Sequence, residues 1–240
     1  MSSDYDRLAE AYGRHRKGSA GVLRELVNGA RLTADSRVLE IGAGTGNYTA
    51  ALCEVVGCPC SAVEPSERMR EIARARLPDV EVRAGNAEAL PFDAASFDFA
   101  FCVNVIHHVV DRPRLFVEAF RVLDDDGSLC VVTESEDMIR QRVVLNEYFP
   151  DVAAVDLARY SKVEDLRKMA SAAGFSGWRE ERWATELVVE AADTYEAKAF
   201  SSLHLISETA FQTGLARMKA DLTRGPLHGT VRAAMLWATK

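Results

Sequence analysis

Two glutamates and a pair of histidines occupy positions where they could do chemistry. Glu40 lies within the apolar run Val38-Leu39-Glu40-Ile41 and stands two residues before the first of three alternate glycines, in Glu40-Ile41-Gly42-Ala43-Gly44-Thr45-Gly46. Glycines spaced in this way let the backbone turn sharply and approach a ligand with no Cβ in the way. From Asn47-Tyr48-Thr49 onward the pattern becomes helical, and the free amides and positive dipole end of a helix start attract a carboxylate or phosphate. The spacing is not the G-x-G-x-x-G of a dinucleotide site. A carboxylate just before the glycines would repel a pyrophosphate and attract an ammonium. Glu64 ends the next apolar run, Ala62-Val63-Glu64-Pro65-Ser66, where an acid can accept both hydroxyls of a ribose. The set fits a ligand that carries an amino group, a carboxylate and a ribose.

The histidines follow a third apolar run, Phe97-Asp98-Phe99-Ala100-Phe101-Cys102-Val103-Asn104, in the short segment Val105-Ile106-His107-His108. Open α/β sheets bind ligands beyond the carboxyl ends of their strands, at the point where strand order reverses. A histidine there is suited to take a proton near neutral pH, so His107 and His108 are the candidate catalytic bases.

These residues, in this order, resemble the class I S-adenosylmethionine-dependent methyltransferases of the small-molecule, type 11-like kind, over about Tyr5 to Gly174. The resemblance implies S-adenosyl-L-methionine as cofactor and S-adenosyl-L-homocysteine as product. It implies an α/β fold: a doubly wound, Rossmann-like, mostly parallel seven-stranded sheet with a helical cap. Carried over residue by residue, the cofactor-binding positions are Glu40, Gly42, Ala43, Gly44 and Gly46 in the glycine motif and Glu64 and Pro65 at the ribose acid. Met69 would pack on the adenine, with Asn86, Ala87 and Glu88 in the adenine loop and Val103 and Asn104 at the end of the strand before the histidines. The family commonly has Asp where Asn86 stands, and Asn can still accept from the adenine amino group. Tyr12 and Arg16, with His15 beside them, would close over the methionine end. His108 aligns with a family position that is usually structural or lines the cofactor, which leaves His107 as the acceptor-facing residue.

The elements needed to position these groups are legible in outline. Helical spacing of Tyr5, Leu8, Ala9, Tyr12 and then Val22, Leu23, Leu26, Val27 predicts two helices before the first strand. Ser66 to Leu77 reads as a helix stopped by Pro78, Arg112-Pro113 opens another through Leu123, and Lys162 to Ala173 forms one closed by Gly174. Strands are expected at Val80–Ala84, Phe97–Asn104, Ser128–Thr133 and Trp178–Glu190, with Gly229 to Thr239 a last strand or helix. Asp193 to Leu205 and Ser207 to Leu222 read as helices, with His204 and Phe200 as possible liners of an acceptor pocket. The expected partition is an N-terminal helical lid over residues 1–32 and a cofactor-binding core over 33–135. An acceptor-side lid follows over 136–161, and 162–240 finishes the core with a helical insertion at about 193–224.

Composition narrows the function. A chain of 240 residues, 48% hydrophobic, can bury a full core. Its net charge of -7, with no block of Lys or Arg, gives no electrostatic footprint for a phosphate backbone, so nucleic acid is not the expected partner. No apolar run approaches a bilayer span and the N-terminus lacks a signal-peptide core, so no membrane partner and a cytoplasmic location are expected. A homodimer is compatible with the composition. The five cysteines lack paired C-x-x-C spacing and read as buried thiols, so no metal site is expected. The expected activity is methyl transfer to O, N or C of a small-molecule acceptor. A sulfonium methyl is already activated, so the protein's main task is alignment and exclusion of water, and a base is optional. The alternatives are a non-catalytic adenosylmethionine-binding regulatory or structural protein, and an arsenic methyltransferase, for which the cysteine spacing argues poorly.

Overall fold

The computed structural model describes residues 18–240. Its elements in chain order are α1 (Ala20–Gly29), β1 (Val38–Ile41), α2 (Asn47–Val56), β2 (Cys60–Glu64), α3 (Glu67–Arg76), β3 (Glu81–Ala84) and β4 (Phe97–Val103). After the 3-10 turn Ile106–His108 come α4 (Arg112–Val122), β5 (Leu123–Thr133), α5 (Glu136–Arg140), α6 (Val143–Tyr148), α7 (Asp151–Arg159) and α8 (Val163–Ala172). The chain ends with β6 (Ser176–Val189), α9 (Asp193–Glu196), a 3-10 turn at Ser201–His204, α10 (Glu208–Leu222) and β7 (Leu227–Thr239).

The strands form one sheet in the order β3-β2-β1-β4-β5-β7-β6. The run from β3 to β5 is parallel, whereas β7 is antiparallel to both β5 and β6. The seven-stranded sheet is thus mostly parallel, as the resemblance implies, and becomes mixed at β7, the segment for which the sequence allows either strand or helix. Leu227–Thr239 is a strand because it pairs along β6 from Val189↔Leu227 to Ser176↔Thr239 and on its other edge with β5. Strand order reverses between β1 and β4, so the loop after β1 and the turn after β4 open side by side.

Side-chain alternation along the strands fills two layers. Leu39, Ile41, Ala100, Cys102, Leu129 and Val131 face α4 and α8 through Leu115, Phe116, Ala119, Leu166 and Ala170. Val38, Phe99, Phe101, Cys130, Val132 and Trp237 face α1 and α2 through Val22, Leu23, Leu26 and Leu52. The part of the expected lid at 1–32 that is described is thus a core helix: Leu26 is fully buried, and only its approach, at Gly18, Ser19 and Val22, reaches the site. Tyr12, His15 and Arg16 lie outside the described residues.

The cap is a third cluster. Val144, Leu145, Tyr148, Phe149 and Val152 from α6 and α7 pack with Tyr195, Leu203, Phe211, Leu215 and Met218 from the insertion, and with Val189 at the end of β6. The lid at 136–161 and the insertion at 193–224, read separately from the sequence, share one hydrophobic core. The insertion is less helical than expected, since Asp193–Leu205 is a single turn of helix and a 3-10 turn. No described helix is long and apolar enough to cross a membrane.

Candidate functional site

A cavity of about 480 Å³ lies at the carboxyl ends of the strands, beneath the cap. That is within the usual range for a ligand pocket. One end is lined by Glu40, Gly42, Ala43, Gly44, Glu64, Pro65, Met69, Val103 and Asn104, and the other by His107, His108, Glu134, Arg142, Tyr160 and Phe200.

The first end is built around the glycines, and their tasks differ. A Cβ on Gly42 would sit 2.6 Å from Val105 Cγ2 and one on Gly46 2.7 Å from Leu77 Cδ1, so both positions are closed by packing. A Cβ on Gly44 would meet nothing nearer than the Met69 sulfur at 3.8 Å. Gly44 is the glycine that faces open space. All three have positive φ, and Gly46, at φ 76°, is the N-cap of α2. The Glu64 carboxylate spans the loop, with Oε2 accepting from the Gly44 amide at 2.9 Å and Oε1 from the Ser66 amide at 2.9 Å. Ser66 then caps α3 by accepting from the Met69 amide, which fixes Met69 against the cavity.

Glu40 is 3% exposed. Alternation along β1 turns it to the α2 side, where its carboxylate accepts from the Thr49 amide at 2.9 Å and from the Thr49 hydroxyl. Burial pushes its pKa up to about 7; the two Thr49 bonds act against that rise and the nearby Glu64 charge adds to it. A cationic group brought to this end would favour the ionised form.

Three residues expected at this end do not line the cavity. Ala87 belongs to the core beneath the sheet, Asn86 is exposed, and Glu88 accepts from the amides of Val110 and Asp111, tying down the loop after the histidines. The strand β3 that should deliver them ends two strands away from the switch point.

At the second end His107 is buried and stacks on Tyr160, with ring centroids 4.0 Å apart and planes 12° from parallel. His108 tilts against His107 at 3.9 Å. Around Tyr160 runs a network of ions that sequence reading missed. Arg142 donates through Nε to Glu134 Oε1 at 2.9 Å, through Nη2 to Glu134 Oε2 and through Nη1 to Asp156 Oδ2. Arg159 donates through Nε to Asp156 Oδ1 at 2.8 Å and through Nη2 to Ser201 Oγ at 2.8 Å. Arg112 links the network to the histidine turn by donating to the carbonyls of Ile106 and Arg159. Burial opposes the Arg142 charge, but Glu134 and Asp156 outweigh it and hold the guanidinium pKa above its usual value. Desolvation, with the Glu134 charge, pushes the Tyr160 hydroxyl up, so Tyr160 is a hydrogen-bond donor at neutral pH.

Of the two residues named from the insertion, Phe200 lines the cavity, whereas His204 is exposed and bonds the Lys198 carbonyl. The remaining wall is largely apolar, with Val143, Val144 and Leu145 from α6, and Trp183 and Leu187 from β6, and it also takes in Thr185, Thr230 and Arg232.

This mixed sheet, with a glycine loop and an acid facing its switch point, defines a Rossmann-like α/β architecture. Residues 39–131, from β1 to β5, match the family described as a methyltransferase domain. The chain is 31% identical over 162 residues to an uncharacterised methyltransferase of Staphylococcus carnosus, an alignment covering 63% of this chain and 76% of that protein. It is also 31% identical over 162 residues to a demethylmenaquinone methyltransferase of Lactococcus lactis, covering 63% of each. Relatives from Mycobacterium are matched over about half of their length, 53%. A solved structure from Anabaena variabilis, described as a candidate methyltransferase of an antibiotic biosynthesis pathway, superposes with a TM-score of 0.75 at 25% identity, over 94% of this chain and 99% of that one. The chain belongs to the class I S-adenosylmethionine-dependent methyltransferases.

Proposed function

We propose that this methyltransferase holds S-adenosylmethionine at the glycine-loop end of the cavity and a small-molecule acceptor at the histidine end, beneath the cap. The observation that carries the reading is the pairing of Gly44, the motif glycine whose missing side chain opens onto the cavity, with Glu64, whose carboxylate is oriented beside it by two backbone amides. The same end offers a buried acid, Glu40, to an ammonium and Met69 to an adenine face. These residues fit the chemistry of the group. When bound, S-adenosylmethionine supplies a methyl group already activated on a sulfonium, and S-adenosylhomocysteine is left.

Glu64 would accept from the ribose hydroxyls, and Glu40 in its ionised form would receive the ammonium. Val103 and Asn104, at the end of β4, would line the donor site beside the histidine turn. His107 then receives the proton that an O–H or N–H acceptor loses, while the cap excludes water from the junction. In this reading residues 33–135 are the donor-binding core, and the helices of 136–161 and 193–224 form the acceptor cap. The lactococcal relative, a demethylmenaquinone methyltransferase, supports a small-molecule acceptor.

Isothermal titration with S-adenosylmethionine and S-adenosylhomocysteine, followed by an acceptor screen for methylated product, tests the reading. Binding of both with turnover of at least one acceptor supports it. Binding with no methylation across the screen supports a non-catalytic nucleoside-binding protein, and no binding removes the assignment of this end of the cavity.

A further inference from the structure

The charges of the acceptor end are already spent on one another. Each of the three Arg142 nitrogens donates to a carboxylate oxygen, two on Glu134 and one on Asp156, and Arg159 takes the other Asp156 oxygen and Ser201. The side chains involved are enclosed, at 13% exposure for Arg142, 17% for Glu134, 2% for Asp156 and 17% for Arg159. These two cations and two anions balance one another, and Arg112, which among the described residues bonds only the Ile106 and Arg159 carbonyls, lies outside the cavity wall. An acceptor carboxylate would have to pull an arginine from its acid, and an acceptor ammonium would have to pull an acid from its arginine. Either move leaves a buried charge without a counter-charge. The network instead holds a ring in place, since Arg142 and Arg159 each lie 5.9 Å from the centre of the Tyr160 ring, whose stacking partner is His107.

Arg232 is a further cation of the cavity wall. It pairs in register with Ala184, so its side chain leaves β7 on the face opposite Trp183, Thr185 and Leu187, and it donates to the Gln141 carbonyl at 3.4 Å. Apart from hydroxyls of Thr185, Ser201, Ser202 and Thr230, the rest of the wall at this end is aliphatic and aromatic, from Val143, Val144, Leu145, Leu187, Tyr195 and Phe200.

We propose that the acceptor is an uncharged, largely apolar molecule bearing a planar ring, which packs against the Tyr160 and His107 rings beside the internally neutralised cluster of Glu134, Arg142, Asp156 and Arg159. This rests on the reading of the cavity as a donor end joined to an acceptor end. An apolar ring gains from leaving water and from stacking offset or edge-on against the aromatic pair, whereas a charged analogue loses its hydration and meets, around those rings, only ions already paired with one another. The proton-accepting ability of His107, beside the Tyr160 ring, suits a single neutral hydroxyl on the acceptor's ring.

The test is direct binding, read without turnover. 2-Naphthol, 2-naphthoate and 2-naphthylmethylammonium present one ring system in neutral, anionic and cationic forms, and each is titrated into the full chain saturated with S-adenosylhomocysteine. The saturation step is measured first, so loss of the donor-site reading shows as no homocysteine binding, separately from the acceptor result. The expected result is binding of 2-naphthol at least tenfold tighter than either charged analogue. Tyr160→Phe should keep that affinity within about threefold and Tyr160→Leu should weaken it about tenfold, with unchanged S-adenosylhomocysteine affinity in both. Equal affinity for the three forms, preference for the ammonium, or no measurable binding of any of them overturns the proposal. Preference for the carboxylate overturns it too, and points to Arg232 as the reader of an acid.

Discussion

The two ends of the cavity are made in opposite ways. The glycine-loop end is local: Glu40, Gly44, Glu64 and Met69 come from two successive strand-to-helix units, and the bond that ties them together, Gly44 to Glu64, spans 20 residues. Backbone amides and glycine torsions do most of its work. The acceptor end is assembled from the tip of β5, the helices α5 to α7 and the insertion, with Arg159 reaching Ser201 across 42 residues and Arg112 reaching Arg159 across 47. Its work is done by side chains buried in ion pairs. Binding a common donor demands backbone geometry that short motifs encode, whereas shaping an acceptor chamber can be done by any packing that closes it.

Asp156 offers the sharpest way to break the contrast. It joins Arg142 to Arg159 from a position 2% exposed, and Asp156→Ala leaves two guanidiniums short of a partner. Loss of one member of a buried ionic network costs about 3 to 5 kcal/mol, which for a chain of this size is about 10 °C in Tm. Thermal unfolding should show that drop, while S-adenosylhomocysteine affinity measured well below the transition stays within about threefold. A loss of homocysteine affinity as large as the loss of stability would merge the two ends.

Glu40 supplies a pH dependence confined to the donor end. Its pKa is raised from 4.5 to about 7, so between those values the folded protein holds a proton that the unfolded chain has released. Stability from this group is fully present below about 4.5 and falls as pH rises to about 7, by up to about 3 kcal/mol. Denaturant titrations of wild type and Glu40→Gln from pH 5 to 8 should therefore diverge, with the variant gaining on wild type as pH rises. Donor affinity should rise over the same interval in wild type alone, because the ammonium needs the ionised acid. Parallel stability curves would remove Glu40 as the titrating group.

His107→Ala should lower the single-turnover rate by about a hundredfold or more at saturating donor, as loss of a general base does, with donor affinity nearly unchanged. If His108→Ala gives the larger rate loss, the acceptor faces the second histidine. The smallest effect belongs to Asn86, exposed and outside the cavity wall: Asn86→Ala should change S-adenosylhomocysteine affinity less than about threefold in a calorimetric titration. A tenfold loss would extend the donor pocket to the loop after β3.

Legibility in the sequence followed the same division. The glycine motif, Glu64 at the end of β2 and the histidine turn after β4 could be placed because each sits at a strand end that its own neighbours announce. The loop of Asn86, Ala87 and Glu88 could be named but not placed: Ala87 packs into the core and Glu88 bonds the Val110 and Asp111 amides, choices made by the packing of α4. Nothing in the sequence singles out Glu134, Arg142 and Asp156, since burial of an ion pair leaves no periodic trace when its members lie on different elements. The antiparallel β7 was equally hidden, because apolar Ala233-Ala234-Met235-Leu236-Trp237 serves a helix or a covered strand alike until β5 and β6 pair with it.

The central claim is that the donor is held by Glu64 beside Gly44, independently of the acceptor end. Calorimetric titration of S-adenosylhomocysteine into wild type, Glu64→Ala and Tyr160→Phe tests it in one experiment. Loss of the charge-assisted bonds should weaken binding to Glu64→Ala by about 2 to 4 kcal/mol, roughly 30-fold to a thousandfold, with circular dichroism showing a folded chain. Tyr160→Phe should bind as wild type does. Wild-type affinity in Glu64→Ala, or an equal loss in both variants, would contradict the account.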